Sequence, residues 1–318
     1  MNHTFSKRPD VLIDLSHRCP LGCTMCQRQI YFKGKFGNKV WGNDLPMRSI
    51  EMLINKFEHL SFGGQLSDPI HYPKFIEVLK MCKDKNVEVL VQTASSFKPE
   101  DWYIKAFKAN PEANWQFGLD GLPSESHKYR TNQDGEKLFR VMCYATKHLQ
   151  TIPIWQYIVF KYNEDHIEEA KKLAKENKLR FVLMKSSRWI EGRTDHLKPT
   201  SEENTLDTTH GELVTTTKRF KPVCIEDKDC MAVTNRNQLL PCCYIDNPHF
   251  LENSTIKKLA ESSDISKHNS LEDITSNKEW VELKRKIQEA SECQDVKNVP
   301  WPCVHSCSQE HRRAEWEK

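Results

Sequence analysis

Three cysteines lie close together near the start of the chain, in the stretch Cys19-Pro-Leu-Gly-Cys23-Thr-Met-Cys26. They follow directly after a short apolar run over residues 11–15. Three thiolates can hold three irons of a cubic 4Fe-4S cluster and leave the fourth iron open, whereas four thiolates close the cluster. Gly22 allows the tight turn that the first two thiols need. The spacing therefore predicts an iron–sulfur site at which a small molecule can bind one iron.

Two other uses of this loop stay open from spacing alone. Zinc sites usually have two paired Cys or Cys/His arms, and no second arm lies near this loop, although His17 could be a fourth ligand. A disulfide is disfavoured, because we find no signal peptide and the 12 cysteines occur mostly in clusters. Such clusters indicate metal ligands in a reducing compartment, so we expect a cytoplasmic protein.

Length and composition exclude several classes of protein. A chain of 318 residues suits two domains, and 38% hydrophobic residues can build their cores. No stretch approaches the roughly 18–20 apolar residues of a membrane helix, and the mean hydropathy is −0.69, so we expect no membrane partner. The net charge of +3 gives no electrostatic reason to expect a nucleic-acid partner.

Strand-like and helix-like segments alternate from residue 11 to about residue 185. Six strand–helix units in order predict a parallel sheet with right-handed crossovers. Six units are too few to close an eight-stranded barrel, so we predict an α/β fold, a partial (β/α)6 barrel. Functional groups are expected at the carboxyl ends of its strands, and the cysteine loop follows the first strand. The predicted strands are 11–15, 59–62, 87–91, 115–119, 153–160 and 181–184.

The alternation lapses after residue 192. Residues 193–219 lack periodicity and are interpreted as a linker. We therefore predict a first domain over residues 1–192 and a small C-terminal β-hairpin/helix domain over residues 220–318. This second domain is rich in cysteine: Cys224, Cys230, Cys242, Cys243, Cys293, Cys303 and Cys307.

The first domain resembles the radical S-adenosylmethionine enzymes, which share the Cys-x3-Cys-x2-Cys loop. That family has a Gly-Gly-Glu-Pro-type segment whose backbone meets the methionine amine, and this chain has Gly63-Gly64-Gln65 there. Gln65 replaces the usual Glu, so the resemblance implies that either Gln65 or Asp68 faces the ammonium. Met25 stands where the family places an aromatic residue against the adenine.

The same resemblance extends to the ends of the third and fourth strands. Thr93 matches the start of the family's Thr-Asn-Gly segment, although Ala94 departs from it. Asp120-Gly121 resembles the family's Asp-Gly segment, and Arg130 follows it. The resemblance implies that Arg130 pairs with the methionine carboxylate. A guanidinium can bind a carboxylate through two parallel hydrogen bonds, a bidentate contact that orients it.

The C-terminal region resembles the twitch domain, a shorter relative of the SPASM domain. Cys224 and Asn237-x4-Cys242 match its Cys-x(9–15)-Gly-x4-Cys pattern, with Asn in place of Gly. Asn is the next-best residue for a turn with positive φ. A twitch domain binds one auxiliary 4Fe-4S cluster, and the resemblance implies Cys224, Cys242, Cys303 and Cys307 as its ligands. Cys230 or Cys293 could replace one of them, and a second auxiliary cluster stays open.

These resemblances imply a radical S-adenosylmethionine enzyme of oxidoreductase type. Its 4Fe-4S cluster would cleave S-adenosylmethionine to a 5′-deoxyadenosyl radical, and the substrate would be a peptide or a small molecule that is oxidised or cross-linked. A flavodoxin or ferredoxin would supply electrons. The alternative is a non-catalytic zinc or iron–sulfur module that recruits a partner or nucleic acid.

Overall fold

The computed structural model describes residues 10–32, 39–186, 189, 192, 194–205, 219–226 and 231–308. Cys230 and about half of the predicted linker, residues 193 and 206–218, lie outside the described residues. The described strands form a single sheet of eight. They are β1 (Val11–Ile13), β2 (His59–Phe62), β3 (Glu88–Thr93), β4 (Asn114–Gly118), β5 (Ile154–Ile158), β6 (Arg180–Met184), β7 (Met231–Val233) and β8 (Leu239–Leu240).

The six predicted strands are confirmed, each within a few residues of its expected position. They pair in parallel in the order β6-β5-β4-β3-β2-β1. The sheet does not close on itself, which agrees with the predicted α/β fold and partial barrel. All five residues of β4 are buried, as expected for a parallel strand that is covered on both faces.

Helices connect the strands and cover the sheet. α2 shows how the sequence specifies this, because Ile50, Leu53 and Ile54 recur at helical spacing and are all buried. None of the helices in the described part of the chain is long and apolar enough to cross a membrane. The helices are α1 (Gln27–Tyr31), α2 (Met47–Lys56), α3 (Phe75–Asp84), α4 (Glu100–Ala109), α5 (Gly135–His148), α6 (Ile167–Glu176), α7 (Val223–Glu226), α8 (Ser254–Ser262), α9 (Leu271–Thr275), α10 (Lys278–Cys293) and α11 (Trp301–Cys307).

The C-terminal hairpin extends the sheet. β7 pairs in parallel with β1, with Leu12 opposite Ala232, and β8 pairs antiparallel with β7. The hairpin itself is predicted from the sequence, but its attachment to β1 is not. As a result, the turn of this hairpin lies at the carboxyl edge of the parallel sheet, the same edge as the cysteine loop.

Two hydrophobic clusters lie at different places in the molecule. The large one fills the space between the sheet and its helices and includes Phe75, Phe107 and Trp115. A small separate cluster lies around the cysteine loop and includes Met25 and Phe160. The small cluster marks the place where apolar side chains and the three thiols share one environment.

Candidate active site at the carboxyl edge of the sheet

The cysteine loop begins after β1 and ends at the start of α1, so short elements fix it at both ends. Cys26 occupies the N-cap position of α1. In the middle of the loop, the Gly22 amide donates to the carbonyl of Thr131 at 2.9 Å. Arg28, which lies in α1, donates through Nη1 to the carbonyls of His17 and Leu66, each at 2.6 Å.

Cys26 acts electrostatically on the other two thiols of the loop. Burial raises the pKa of Cys23 to about 11, and the neighbouring Cys26 raises it further while Arg130 opposes the rise. Burial also raises the pKa of Cys19, with Asp68 and Cys26 adding to the shift. Binding iron would therefore displace protons from these thiols.

The ligand chemistry of the three thiols is compatible with an iron–sulfur cluster. Among the residues that the structure describes, no group of three or more His, Cys, Asp and Glu side chains is placed to hold a metal ion. Three soft thiolates are also the ligands that iron–sulfur chemistry prefers.

The Gly63-Gly64 turn follows β2 and leaves no room for side chains. A Cβ at Gly64 would overlap the carboxylate of Asp14 and lie 2.8 Å from the carbonyl of Ser67. A Cβ at Gly63 would overlap the amide of Gln92. The packing around this turn therefore favours residues without a Cβ, most strictly at Gly64, where one of the close atoms is a backbone carbonyl oxygen.

Asp14, which no sequence motif singled out, holds that turn in place. Its Oδ2 accepts from the Leu66 amide at 2.9 Å, and its Oδ1 accepts from the Ser67 hydroxyl. Burial raises the pKa of Asp14 to about 6, and these hydrogen bonds and Arg28 partly oppose the rise. The available signal was an acidic residue inside an apolar strand segment, which is costly unless it is hydrogen-bonded.

Gln65 and Asp68, the two candidates for the ammonium contact, have different surroundings. Gln65 Nε2 donates to the carbonyl of Cys243 at 3.4 Å, and its Oε1 accepts from Gln27 at 3.3 Å. Asp68 is buried and accepts from Thr93 Oγ1 at 2.7 Å and from the Ala94 amide at 2.9 Å. Asp68 thus fixes the end of β3, and Gln65 connects the cysteine loop with the C-terminal segment.

Asp120 and Arg130 form a buried ion pair beyond the end of β4. Arg130 Nε lies 2.7 Å from Asp120 Oδ2, and Asp120 Oδ1 also accepts from the Ile158 amide at 2.9 Å. Gly118 leaves space for this guanidinium, because a Cβ there would lie 2.7 Å from Arg130 Nη2. The charge of Arg130 acts on Cys23, so a cation lies beside the cysteine loop.

An apolar wall completes this part of the site. Met25 packs in one cluster with Ala94, Tyr129 and Phe160. The ring centroids of Tyr129 and Phe160 lie 4.4 Å apart, and the Tyr162 ring stacks on Phe160 at 5.6 Å with an interplanar angle of 8°. The stretch 158–163, which contains Phe160 and Tyr162, resembles the family's adenine-side strand in sequence, whereas no sequence motif assigned a role to Tyr129.

The structure brings the four predicted auxiliary cysteines together from distant parts of the chain. Each is 7% exposed. Burial raises the pKa of Cys242 strongly, and Cys224, Cys303 and Cys307 all raise it further. Cys303 is likewise affected by Cys224 and Cys307. Cys293, in contrast, is exposed at the end of α10, and Cys230 lies outside the described residues.

No protein-family model matches the chain, and no curated protein matches it in sequence. Solved structures do share its fold. Streptococcus suis SuiB bound to S-adenosylmethionine has a TM-score of 0.56 at 15% identity, covering 76% of this chain and 61% of SuiB. SuiB bound to the precursor peptide SuiA has a TM-score of 0.52 at 15% identity, with coverages of 75% and 60%. This chain thus spans about three fifths of SuiB.

A second protein matches over nearly the full length of both chains. The histidine-tagged protein anSMEcpe with bound AdoMet has a TM-score of 0.51 at 16% identity, and the match covers 96% of this chain and 92% of anSMEcpe. At identities this low, the TM-scores establish a shared fold and no more. S-adenosylmethionine is bound in the SuiB and anSMEcpe structures that share it.

Proposed function

We propose that this chain is a radical S-adenosylmethionine enzyme. When bound, a 4Fe-4S cluster at the three-cysteine loop supplies the electron that cleaves S-adenosylmethionine to a 5′-deoxyadenosyl radical, which takes a hydrogen from the substrate. One observation carries the proposal. Three thiols, a side-chain-free Gly-Gly turn, a buried guanidinium and an aromatic wall converge at one edge of a fold that S-adenosylmethionine-bound proteins share.

Each of these groups has a role in the proposal. Cys19, Cys23 and Cys26 would be the iron ligands. The peptide groups of the Gly63-Gly64 turn would meet the methionine amine, and Arg130 would orient the carboxylate while Asp120 holds its guanidinium. The remaining contacts are assigned by their place in the site: Thr93 at the end of β3, and Met25, Tyr129 and Phe160 on the adenine side.

The second group of thiols supports an auxiliary 4Fe-4S cluster. Cys224, Cys242, Cys303 and Cys307 would close all four corners, which leaves no iron for a substrate and favours an electron-transfer role. The chain would then oxidise or cross-link a peptide or a small molecule, with a flavodoxin or ferredoxin as reductant. SuiB binds a precursor peptide in the same fold, which supports the peptide option. A reducing cytoplasm would keep these thiols free.

Iron content and S-adenosylmethionine cleavage test this proposal together. Anaerobically reconstituted wild-type protein should hold about eight irons per chain and form 5′-deoxyadenosine with dithionite. The Cys19→Ala/Cys23→Ala/Cys26→Ala variant should keep about four irons and form none. The Cys293→Ala variant serves as the matched control, since this exposed thiol has no assigned role.

Two outcomes would contradict the proposal. Wild-type protein that takes up zinc in place of iron would favour the non-catalytic binding module. Wild-type protein whose reduced clusters are intact but which neither binds nor cleaves S-adenosylmethionine would do the same.

A further inference from the structure

Arg28 connects the cysteine loop with the segment that follows the Gly-Gly turn. It is the second residue of α1 and follows Cys26 by two positions. Its Nη1 donates to the carbonyl oxygens of His17 and Leu66, each at 2.6 Å, and its Nη2 donates to the carbonyl oxygen of Cys19 at 3.4 Å. One nitrogen atom thus holds a carbonyl of each segment, and the two segments cannot move apart without losing one of these hydrogen bonds.

The Arg28 side chain joins other segments and makes no contact of this kind within its own helix. Every hydrogen bond that it makes to the described residues goes to a backbone carbonyl outside α1. A guanidinium suits this place, because its donors lie in one plane at fixed angles, whereas the ammonium of a lysine is a single point at the end of a flexible stem. The geometry of the contact therefore depends on arginine and not on positive charge alone.

Leu66 is held through both polar groups of its backbone. Its amide donates to Asp14 Oδ2 at 2.9 Å, while its carbonyl accepts from Arg28. Its side chain is buried. Because Gly64 precedes Leu66 by only two residues, fixing Leu66 limits where the peptide groups of the Gly-Gly turn can lie.

Two neighbouring contacts join the same two segments. Gln27, beside Arg28 in the chain, donates to Gln65 Oε1 at 3.3 Å, and the Asp68 amide donates to the Arg18 carbonyl at 3.0 Å. The first of these is long for an N–H···O bond, which usually measures about 2.9–3.0 Å. Arg28 therefore supplies the short side-chain contacts between the cysteine loop and the turn.

The charge of Arg28 acts on groups of both segments. Burial raises the pKa of Cys19 and the pKa of Asp14, and Arg28 opposes both rises. A second cation, Arg236, also acts on Asp14, but it lies in the turn between β7 and β8 and pairs with Asp246 at 2.7 Å. Arg28 is thus the cation of this pair that lies on the side of the cysteine loop.

We propose that Arg28 is a positioning residue that sets the distance between the three-cysteine loop and the peptide groups of the Gly-Gly turn. This inference rests on the proposed function, because the methionine end of one S-adenosylmethionine molecule would have to meet both at once. Arg28 itself would touch neither the substrate nor S-adenosylmethionine. Its effect would come through the backbone, and a shift of about 1 Å in a positioning group can cost about a hundredfold in rate.

Equilibrium dialysis with the reconstituted, unreduced full chain tests the inference without turnover. Arg28→Lys keeps the charge but loses the planar set of donors, so S-adenosylmethionine should bind about tenfold more weakly or worse. 5′-Methylthioadenosine, which lacks the amine and the carboxylate, should bind the variant and the wild type equally, and both should hold the same amount of iron. Arg48→Lys is the matched control, since Arg48 is also the second residue of its helix and donates to a distant backbone carbonyl, that of His268.

Hydrogen exchange of the protein without clusters gives a second readout. The Leu66 amide should exchange about tenfold faster in Arg28→Lys than in the wild type, because its residue is then held by Asp14 alone. The amides of β3 should exchange at the wild-type rate, which excludes global unfolding as the cause. Arg48→Lys should leave the Leu66 amide unchanged.

The outcomes separate this inference from the proposed function. Unchanged S-adenosylmethionine binding by Arg28→Lys would overturn it, as would an equal loss of 5′-methylthioadenosine binding. Loss of the loop irons would also overturn it, because Arg28 would then build the cysteine loop itself and not set its distance from the turn. Formation of 5′-deoxyadenosine by the wild-type preparation reports on the radical chemistry separately. If that chemistry fails, an unchanged Leu66 exchange rate in Arg28→Lys still overturns the role of Arg28.

Discussion

At the scale of single residues, the Asp120–Arg130 pair shows how the site uses buried charge. Asp120 is fully buried and the Arg130 side chain is 14% exposed. Burial raises the pKa of Asp120, and Arg130 is the main group that opposes the rise. Each charge is tolerated because the other is present, since a buried charge without its partner is strongly destabilising.

Replacing Asp120 by Asn should therefore destabilise the protein. We expect the free energy of unfolding to fall by about 3 kcal/mol, because the Arg130 guanidinium would stay buried without a counter-charge. Denaturant unfolding measures this, with Asp101→Asn on the exposed side of α4 as the control. The double variant Asp120→Asn/Arg130→Met should recover part of the loss. A single variant as stable as the control would show that water reaches Arg130.

The residues of the site differ in how far the sequence identifies them. Cys19 and Gly63 occur in short motifs whose spacing carries the information. Asp14, Arg236 and Asp246 do not, because each acquires its role from partners far away in sequence. The Arg236–Asp246 pair, for example, joins the turn of a hairpin to a segment beyond its second strand, and no local pattern marks either residue.

At the scale of elements, the backbone conformation of the turn between β7 and β8 is predictable from the sequence, but the place of this hairpin in the sheet is not. Asn237 has φ of 64°, which confirms the positive-φ turn that its place in the Cys-x(9–15)-Gly-x4-Cys pattern predicts. Its Nδ2 also donates to Asp264 Oδ1 at 3.2 Å. The sequence specifies the hairpin through local turn chemistry, but pairing of β7 with β1 depends on two segments more than two hundred residues apart.

Substitutions at Asn237 should separate backbone strain from side-chain contacts. Asn237→Ala should lower the free energy of unfolding by about 1–2 kcal/mol, because a left-handed conformation is unfavourable for a residue with a Cβ and no local hydrogen bond. Asn237→Gly should cost less, since Gly removes the strain and loses only the contact with Asp264. Thermal unfolding of the two variants gives the comparison. Equal losses would mean that the side-chain contact, and not φ, sets the cost.

At the scale of the whole molecule, the proposed auxiliary centre and the cysteine loop share one sheet. β7 lies directly beside β1, and β1 leads into the cysteine loop. The four auxiliary cysteines lie in α7, in α11 and in the segment that follows β8, and the other three act electrostatically on Cys242. A cluster bound by those thiols would connect these elements and so stabilise β7 against β1, which would link the two proposed clusters mechanically.

Hydrogen exchange in β1 should report this link. In the Cys303→Ala/Cys307→Ala variant, we expect loss of the auxiliary irons and exchange of the Val11–Ile13 amides faster by about tenfold, the equivalent of about 1.4 kcal/mol of local stability. β6, at the opposite end of the sheet order, should exchange as in the wild type. Cys293→Ala, at an exposed thiol, should change neither iron content nor exchange. If the irons are lost and β1 exchanges at the wild-type rate, β7 holds its place by strand pairing and packing alone, and the auxiliary centre has no mechanical effect on the cysteine loop.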